Sequence, residues 1–454
     1  MRNTNVNLVS RRRFLQASAA GMVTTPLPLT GLAQMVAPPG AFSDYRALVC
    51  VFLFGGNDSF NMLVPRSDAE YGVYSQSRQN LAVERADLLP ISPYTRDGAH
   101  YGLHPNMPEI RALFDSARVA FIANVGPLIE PTTKEQYLNG SVALPPRLFS
   151  HNDQQNQWQS LSGLGAGNTG WAGRVSDLLR QHVSDQQLAT NVSFAGNQLF
   201  QAADETVAYT MGRNGPIPFL GMGDTGGQPA RRAAFEAILG ADYDTMYERA
   251  YRDIQRRAVA TADRVTAALE RAQALATEMP TSSLGQQLNT VARLISVRER
   301  LQMQRQIFFV SAGGFDSHDN QLQTQPGLLR DVSESIGAFY QATMELGVAS
   351  NVTTFTQSDF GRTLTSNGDG TDHGWGGVQL VVGDAVRGRE LYGRYPLLEI
   401  DGPDDVRRGR LIPSVSADQY AATLARWIGV PDADLGHAAP NLHNFAERDL
   451  GFLI

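Results

Sequence analysis

Four polar segments hold most of the groups in this chain whose types and spacing suit catalysis or ion binding. Asn57 and Asp58 follow the apolar run ALVCVFLF, and Asp316, His318 and Asp319 follow IFFVSAGGF. Asp359 and Arg362 follow VTTFTQS, and Asp372 and His373 lie in the Gly-rich SNGDGTDHGWGG. Carboxylates gathered in one place repel unless a positive charge lies between them. Mixed Asp and His donors suit Zn²⁺ or Mn²⁺, whereas Mg²⁺ or Ca²⁺ prefers a set made of oxygen. Asp58, Asp316, His318, Asp359, Asp372 and His373 are therefore candidate ligands of a divalent metal. Asp359 has a second use open to it, as the ion-pair partner of Arg362. Glycines at 55, 56, 313, 314, 374, 376 and 377 would let backbone approach an ion or ligand closely, or would simply form turns.

A metal-assisted displacement also needs an attacking group and a grip on the anion. Ser150, in RLFSHNDQ, is the candidate nucleophile; its other reading is a cap on the helix that follows. Ser59, which only adjoins Asp58, is a weaker substitute. The planar guanidinium of Arg362 suits bidentate capture of phosphate or sulfate, or an ion pair with Asp359. Trp158, Trp171 and Trp375 could stack a ring, although helix-to-sheet packing is the commoner use. Cys50 reads as a small core residue. His100 and His104 are separated by Gly102 and followed by Pro105, so they read as loop residues.

Counting removes other chemistries. With Cys50 alone there is no intramolecular disulfide, Cys-rich zinc site or CxxC redox pair. Of 38 basic residues only Lys134 is a lysine, in PTTKEQY and outside any Gly-rich loop. That excludes a P-loop and the usual Schiff-base enzymes. The G-x-S-x-G elbow of ordinary α/β-hydrolases is also missing.

Positioning four such segments at one place requires strands that end together. The run at 47–54 is a continuous apolar stretch, as expected of a parallel strand buried on both faces, and VAFIANVG at 119–126, IFFVSAGGFDSH at 307–318 and VTTFTQSDFGR at 352–362 repeat the pattern. VQLVVGD is a fifth candidate and NVSFAG a weaker sixth. Helical patterns separate them: PNMPEIRALFDSA, GWAGRVSDLLRQHV, a long Ala/Arg/Glu/Leu-rich stretch over about 230–305, LLRDVSESIGAFYQATMEL and SADQYAATLARWIG. Such alternation predicts an α/β three-layer sandwich with a mainly parallel central sheet, whose ligands gather at the carboxyl ends of the strands. Residues 35–454 read as one domain with a helical insertion over about 230–305.

Residues 1–34 read as an export signal. SRRRFLQ carries Arg11, Arg12 and Arg13 before Phe14 and Leu15, and a small apolar run leads to GLAQ. Pro26 and Pro28 interrupt that run, which is too short to span a bilayer, and no other segment is a span candidate. Removing it takes four arginines and no acids, moving the formal net charge from −7 to −11. An acidic chain without a basic cluster is a poor nucleic-acid binder. The expected location is periplasmic or secreted, with the twin-arginine export machinery as partner.

SRRRFLQ, GGNDSFNMLVP, RLFSHNDQ, GGFDSHDNQ, SDFGRTL and GTDHGWGG together resemble the signature segments of the exported domain-of-unknown-function family 1501, over nearly the whole chain. That resemblance implies an alkaline-phosphatase-like fold, related to the sulfatases. It implies a metal-binding Asp at Asp58, ligands at Asp316 and His318, and an Asp-His pair at Asp372 and His373. DSH spaces its ligands by two where the superfamily commonly uses four. A last superfamily His would fall at His437 or His443. The reading that follows is an exported metal-dependent hydrolase of phosphate or sulfate esters, acting on a small-molecule or glycan ester. The rival is a non-catalytic periplasmic protein of binding or surface assembly that retains the fold.

Overall fold

Both faces of strand β1 (Arg46–Leu53) are covered, and its side chains divide strictly by alternation. Ala47, Val49, Val51 and Leu53 enter one apolar core; Leu48, Cys50 and Phe52 enter the other. A strand with a core on each side has no polar face, which is why the run is apolar throughout. The computed structural model describes residues 42–454 apart from 96–97, 166, 184–185, 218–220 and 223–224. The expected export signal therefore lies outside the described residues. Residues Ala41–Ile454 form one compact unit.

The main sheet comprises β1, β2 (Val119–Gly126), β3 (Asn191–Ser193), β4 (Tyr209–Thr210), β5 (Arg305–Ala312) and β6 (Val352–Ser358). After the two-stranded hairpin β7 (Arg362–Ser366) and β8 (Thr371–His373), it is completed by β9 (Gly377–Val382), β10 (Glu390–Tyr392) and β11 (Val415–Ser416). Its order is β10-β2-β9-β6-β1-β5-β3-β4, with β11 also paired to β2. β1 lies between β5 and β6, parallel to both, in registers that place Leu53 beside Ala312 and Ser358. β9 runs antiparallel to β2 and β6. The sheet is thus mainly parallel, as the apolar runs predict, with one reversed strand that periodicity alone does not distinguish.

Helices cover the two faces. Helix α1 (Asp68–Arg78) precedes the first crossover. Pro108–Asp115 (α2) lies over the core that includes Val49 and Val51, while α3 (His151–Ser160) and α4 (Trp171–Leu179) serve the opposite one. The expected helical stretch resolves into α5 (Gln228–Gly240), α6 (Met246–Leu269) and α7 (Ser283–Ser296). Its parts differ in burial. Leu284, Leu288, Val291 and Ile295 of α7 are core residues, whereas α5 has no buried residue. α8 (Gln321–Glu345) returns the chain to β6, and α9 (Ala417–Ile428) starts at a Ser416–Gln419 capping box. Trp158, Trp171 and Trp375 are fully buried, so all three pack the interior. Cys50 is buried in β1 as expected. His104, expected in a loop, is buried, and the low-dielectric surroundings push its pKa down to about 4.

The close-approach role proposed for the glycines is realised after β1. Gly55 has φ of +114°, and a Cβ there would lie 2.3 Å from the backbone nitrogen of Asp316. The loops after β1 and β5 touch through this missing side chain. Gly55→Ala should therefore lose on the order of 3 kcal/mol in denaturant unfolding, from strain and overpacking together. Gly72→Ala, in α1 with open space around it, should gain about 1 kcal/mol; equal stability of the two variants would sink this account.

Candidate metal centre

Asp316 leaves the end of β5 and becomes the hub of the polar edge. Its Oδ1 accepts from Arg362 Nη1 at 2.8 Å and lies 3.0 Å from His318 Nε2 and 3.5 Å from His373 Nε2. Its Oδ2 lies 3.4 Å from His151 Nε2. Burial raises the Asp316 pKa, but the bond and charge of Arg362, with His318 and His151 nearby, hold it below the ordinary carboxylate value. The three imidazoles crowd together: His151 and His373 ring centres are 4.3 Å apart, and those of His318 and His373 4.7 Å.

Hydrogen bonding on the far side of two rings fixes their tautomers. His151 Nδ1 is 2.6 Å from Asp359 Oδ2, and His373 Nδ1 is 2.7 Å from the Phe149 carbonyl. Both oxygens can only accept, so in the neutral rings both Nδ1 atoms carry the proton and both Nε2 atoms present lone pairs. Those lone pairs and the Asp316 carboxylate face one another within 4.8 Å. Three acceptors in such a space repel unless a cation or protons stand between them; with no ion, His318 Nε2, 2.8 Å from His373 Nε2, donates to the latter's lone pair. A carboxylate or carbonyl behind a histidine is also the usual way a protein aims an imidazole at a metal. His151, Asp316 and His373 thus fit a divalent ion of the kind that takes nitrogen and oxygen donors.

The backbone around the cluster is unusual. Arg147 and Phe149 have φ of 49° and 74°, a region that non-glycine residues enter at a cost of about 1 kcal/mol or more. That turn directs the Phe149 carbonyl at His373 and starts α3 at His151. The Phe360 ring closes one wall, 4.9 Å from the His151 ring and 4.6 Å from that of His373. Burial lowers the His373 pKa, against the Phe149 carbonyl that raises it, with the neighbouring His151, Arg362 and His318 adding to the lowering.

The sequence-predicted residues are distributed as follows. Asp316, His318 and His373 converge. Asp372 lies behind His318, its Oδ1 3.4 Å from Nδ1. Asp359 is fully buried behind His151; its Oδ2 accepts from His151 Nδ1 and also from Gln155 Nε2 at 2.8 Å, and its Oδ1 has no hydrogen-bond partner among the described residues. The ion pair considered between Asp359 and Arg362 is not formed; Arg362 pairs with Asp316 instead. Arg362 is itself buried, bonding the Gly55 carbonyl at 3.0 Å, the Thr371 hydroxyl at 2.8 Å and the Thr371 carbonyl. The guanidinium is turned into the protein and does not present the open fork expected of an anion clamp.

Asp58 sits in a second buried arrangement. Its Oδ2 accepts from Arg78, at the end of α1, and from Gln321, at the start of α8. Arg78 is fully buried and also bonds Asn61 Oδ1 and the carbonyls of Thr363 and Leu364. Gln321 Oε1 accepts from the Thr371 hydroxyl at 2.7 Å, which in turn accepts from Arg362. Asp58 therefore reaches the histidine cluster through a chain of hydrogen bonds. Ser150 caps α3 through its carbonyl, while its hydroxyl donates to Asp153 Oδ2 at 2.7 Å. His437 and His443 each sit in a short C-terminal helical turn, and neither is in the metal-competent group.

His151 is the site residue that the sequence reading passed over. Its signal was adjacency to Ser150 in LFSHND, where it reads as the first residue of a helix; only the fold brings it to Asp316. Metal titration followed by calorimetry should find one tight Zn²⁺- or Mn²⁺-competent site per chain. His151→Ala should nearly abolish it, and Asp359→Asn should weaken it about 10–100-fold. Uptake unchanged in both variants would remove the cluster as the site.

The chain matches the family model described as "Protein of unknown function (DUF1501)" over residues 45–408. No curated protein matches it. Among solved structures, it is similar to the lipoteichoic acid synthase LtaP from Listeria monocytogenes, at 9% identity and a TM-score of 0.35, covering 87% of this chain and 74% of that one. A sulfatase from Pseudoalteromonas sp. gives 12% identity and 0.31, covering 86% and 68%. The C-terminal periplasmic domain of EptC from Escherichia coli, in complex with Zn, gives 11% and 0.32, covering 76% of each chain. The family match takes in the loops after β1, β5 and β6, α3 and the β7–β8 hairpin, and the chain belongs to the DUF1501 family.

Proposed function

We propose that this protein is an exported, divalent-metal-dependent hydrolase of phosphate or sulfate esters, with an alkaline-phosphatase-like arrangement of its strand-end residues. The observation that supports it is the convergence of His151 Nε2, His373 Nε2 and Asp316 with both rings held from behind by acceptors. His151, Asp316 and His373 would hold the ion, and the donor set favours Zn²⁺ or Mn²⁺ over Mg²⁺ or Ca²⁺. A bound divalent ion supplies positive charge against the anionic oxygens of the ester.

The protein groups have distinct tasks in this reading. Asp359 and the Phe149 carbonyl keep the two lone pairs aimed. Arg362 fixes Asp316 between β1, β5 and the hairpin. His318 is the outermost ring, with Asp372 behind its Nδ1; its Nε2 donates to His373 Nε2, and it would give that proton to a leaving oxygen once an ion took the His373 lone pair. Ser150 would act as nucleophile only after its hydroxyl turns from Asp153. Asp58 serves as an anchor for the Gln321–Thr371 chain and not as a ligand.

That engagement of Ser150, with the inward turn of Arg362, is also the observation favouring the second reading, a non-catalytic periplasmic binding or surface-assembly protein that retains an ion. Aryl phosphate and aryl sulfate panels on metal-loaded protein separate the two. The hydrolase reading expects turnover that falls at least ~10³-fold in Asp316→Ala, with His318→Ala reduced about 10²-fold. Ser150→Ala with full activity would assign the attack to water, and a metal-loaded wild type inert on both panels would favour the binding protein. For export, replacing Arg11, Arg12 and Arg13 together by Lys should leave the chain in the cytoplasm; an unchanged periplasmic fraction would reject the twin-arginine route.

A further inference from the structure

Arg362 turns its donors into the protein, so an anionic substrate needs another cation beside the metal cluster. Arg410 is built into the turn that aims His373. Its Nε donates to the His373 carbonyl at 2.9 Å, and its guanidinium carbon lies 4.3 Å from the centre of the Phe149 ring. His373 and Phe149 are themselves joined, through Nδ1 and the Phe149 carbonyl. One edge and one face of the guanidinium are thus fixed. The other edge is not: among the described residues, Nη1 and Nη2 have no hydrogen-bond acceptor and no carboxylate at ion-pair distance, and the residue is only partly buried.

The chain around Arg410 is pinned to the β7–β8 hairpin. The Leu364 N–H bonds the Gly409 carbonyl at 3.0 Å, the Thr365 hydroxyl donates to the Arg408 carbonyl at 2.8 Å, and the Gly376 N–H bonds the Leu411 carbonyl at 2.9 Å. Gly409, with φ of +75°, permits this approach, since a Cβ there would lie 2.5 Å from the Leu364 nitrogen. A long side chain already held at its backbone, its Nε and one face loses little more freedom when its remaining edge takes a ligand. Arg407 and Arg408 of the same turn are exposed and form no ion pair among the described residues. The turn is locally positive in a chain whose formal net charge is −7.

Its place decides what Arg410 can hold. It meets His373 at the main chain and Phe149 on the Nδ1 side, whereas the candidate ion lies off Nε2, on the far side of the ring. The length of the His373 residue therefore separates Arg410 from an ester group seated on the ion. A planar fork takes the paired oxygens of a carboxylate, sulfate or phosphate.

We propose that Arg410 is a specificity residue, whose free Nη edge binds a second anionic group, a carboxylate or a sulfate, on the ester whose reacting group sits at the metal ion. The substrate is then an ester with at least two anionic groups. This rests on the ester-hydrolase reading of the cluster.

Three inert aryl phosphonates test it by calorimetry on metal-loaded protein: one plain, one with a ring carboxylate and one with a ring sulfonate. The wild type should bind at least one of the two-anion probes ~10-fold or more tighter than the plain one. The tighter of the two names the second group. Arg410→Gln should remove the preference while leaving metal uptake and affinity for the plain probe unchanged. Arg410→Lys, which keeps the charge without the fork, should retain only part of it. No preference in the wild type, a preference kept in Arg410→Gln, or binding of none of the probes overturns the inference. So does an Arg410→Gln chain that loses metal and plain probe together, since Arg410 would then merely hold His373 in place. Aryl ester turnover is read separately. A protein that shows the preference but hydrolyses no ester loses the hydrolase reading and keeps the binding site; turnover without the preference does the reverse.

Discussion

The polar edge of this molecule depends on one buried guanidinium. Arg362 has no access to water, so each of its N–H groups needs an acceptor inside the protein. It takes them from three separate pieces of chain: the Gly55 carbonyl after β1, Asp316 after β5, and Thr371 in the hairpin partner of its own strand. No local interaction could hold these loops together, because they are about 46 to 307 positions apart in the sequence. Satisfying Arg362 is what brings Asp316 to a fixed place beside the imidazoles. It is a positive charge that also tolerates, and partly neutralises, a carboxylate in the same spot as three histidines.

A second buried arginine repeats the device a short distance along the hydrogen-bond chain. Arg78 meets Asp58, Gln321 joins Asp58 to Thr371, and Thr371 meets Arg362. Two cations and two carboxylates thus alternate through neutral amide and hydroxyl links. Removing one charge from such a chain would leave the next uncompensated in low dielectric, which costs several kcal/mol. The arrangement gives the edge rigidity at the ends of β1, β5 and β6. A lysine in place of Arg362 would lack the planar fork and two of the five donors.

The strand ends were legible in the sequence because parallel strands buried on both faces must be apolar runs, and polar residues directly after them can only be loop residues at the sheet edge. Asp316 and His318 follow from that rule; Asp372 and His373 stood out only by their place in a Gly-rich segment, and they lie on strand β8 of the hairpin. His151 was not, since it follows no strand and begins a helix; its part in the cluster depends on the positive φ of Phe149 and the position of α3, neither of which periodicity reports. The partners of the charged residues were equally hidden. Arg362 lies three residues from Asp359 and forty-six from Asp316, yet it bonds the distant one. Asp58 looked like a ligand by its place after β1, while the α1 residue that neutralises it lies twenty positions on, in a helix whose surface residues give no sign that Arg78 turns inward.

The same reasoning distinguishes the long helical stretch. α5 and α6 are Ala- and Arg-rich and α7 is not, but all three carry an apolar face at helical period. What differs is whether the apolar face has something to cover it. α7 lies against β5 and α8 and is part of the core, while the stripe on α6 enters the core at one end and leaves it at the other. The acidic start of α6 belongs to the helix itself: Glu248 lies in the first turn, its backbone N–H bonded to the Thr245 hydroxyl, where the macrodipole favours negative charge.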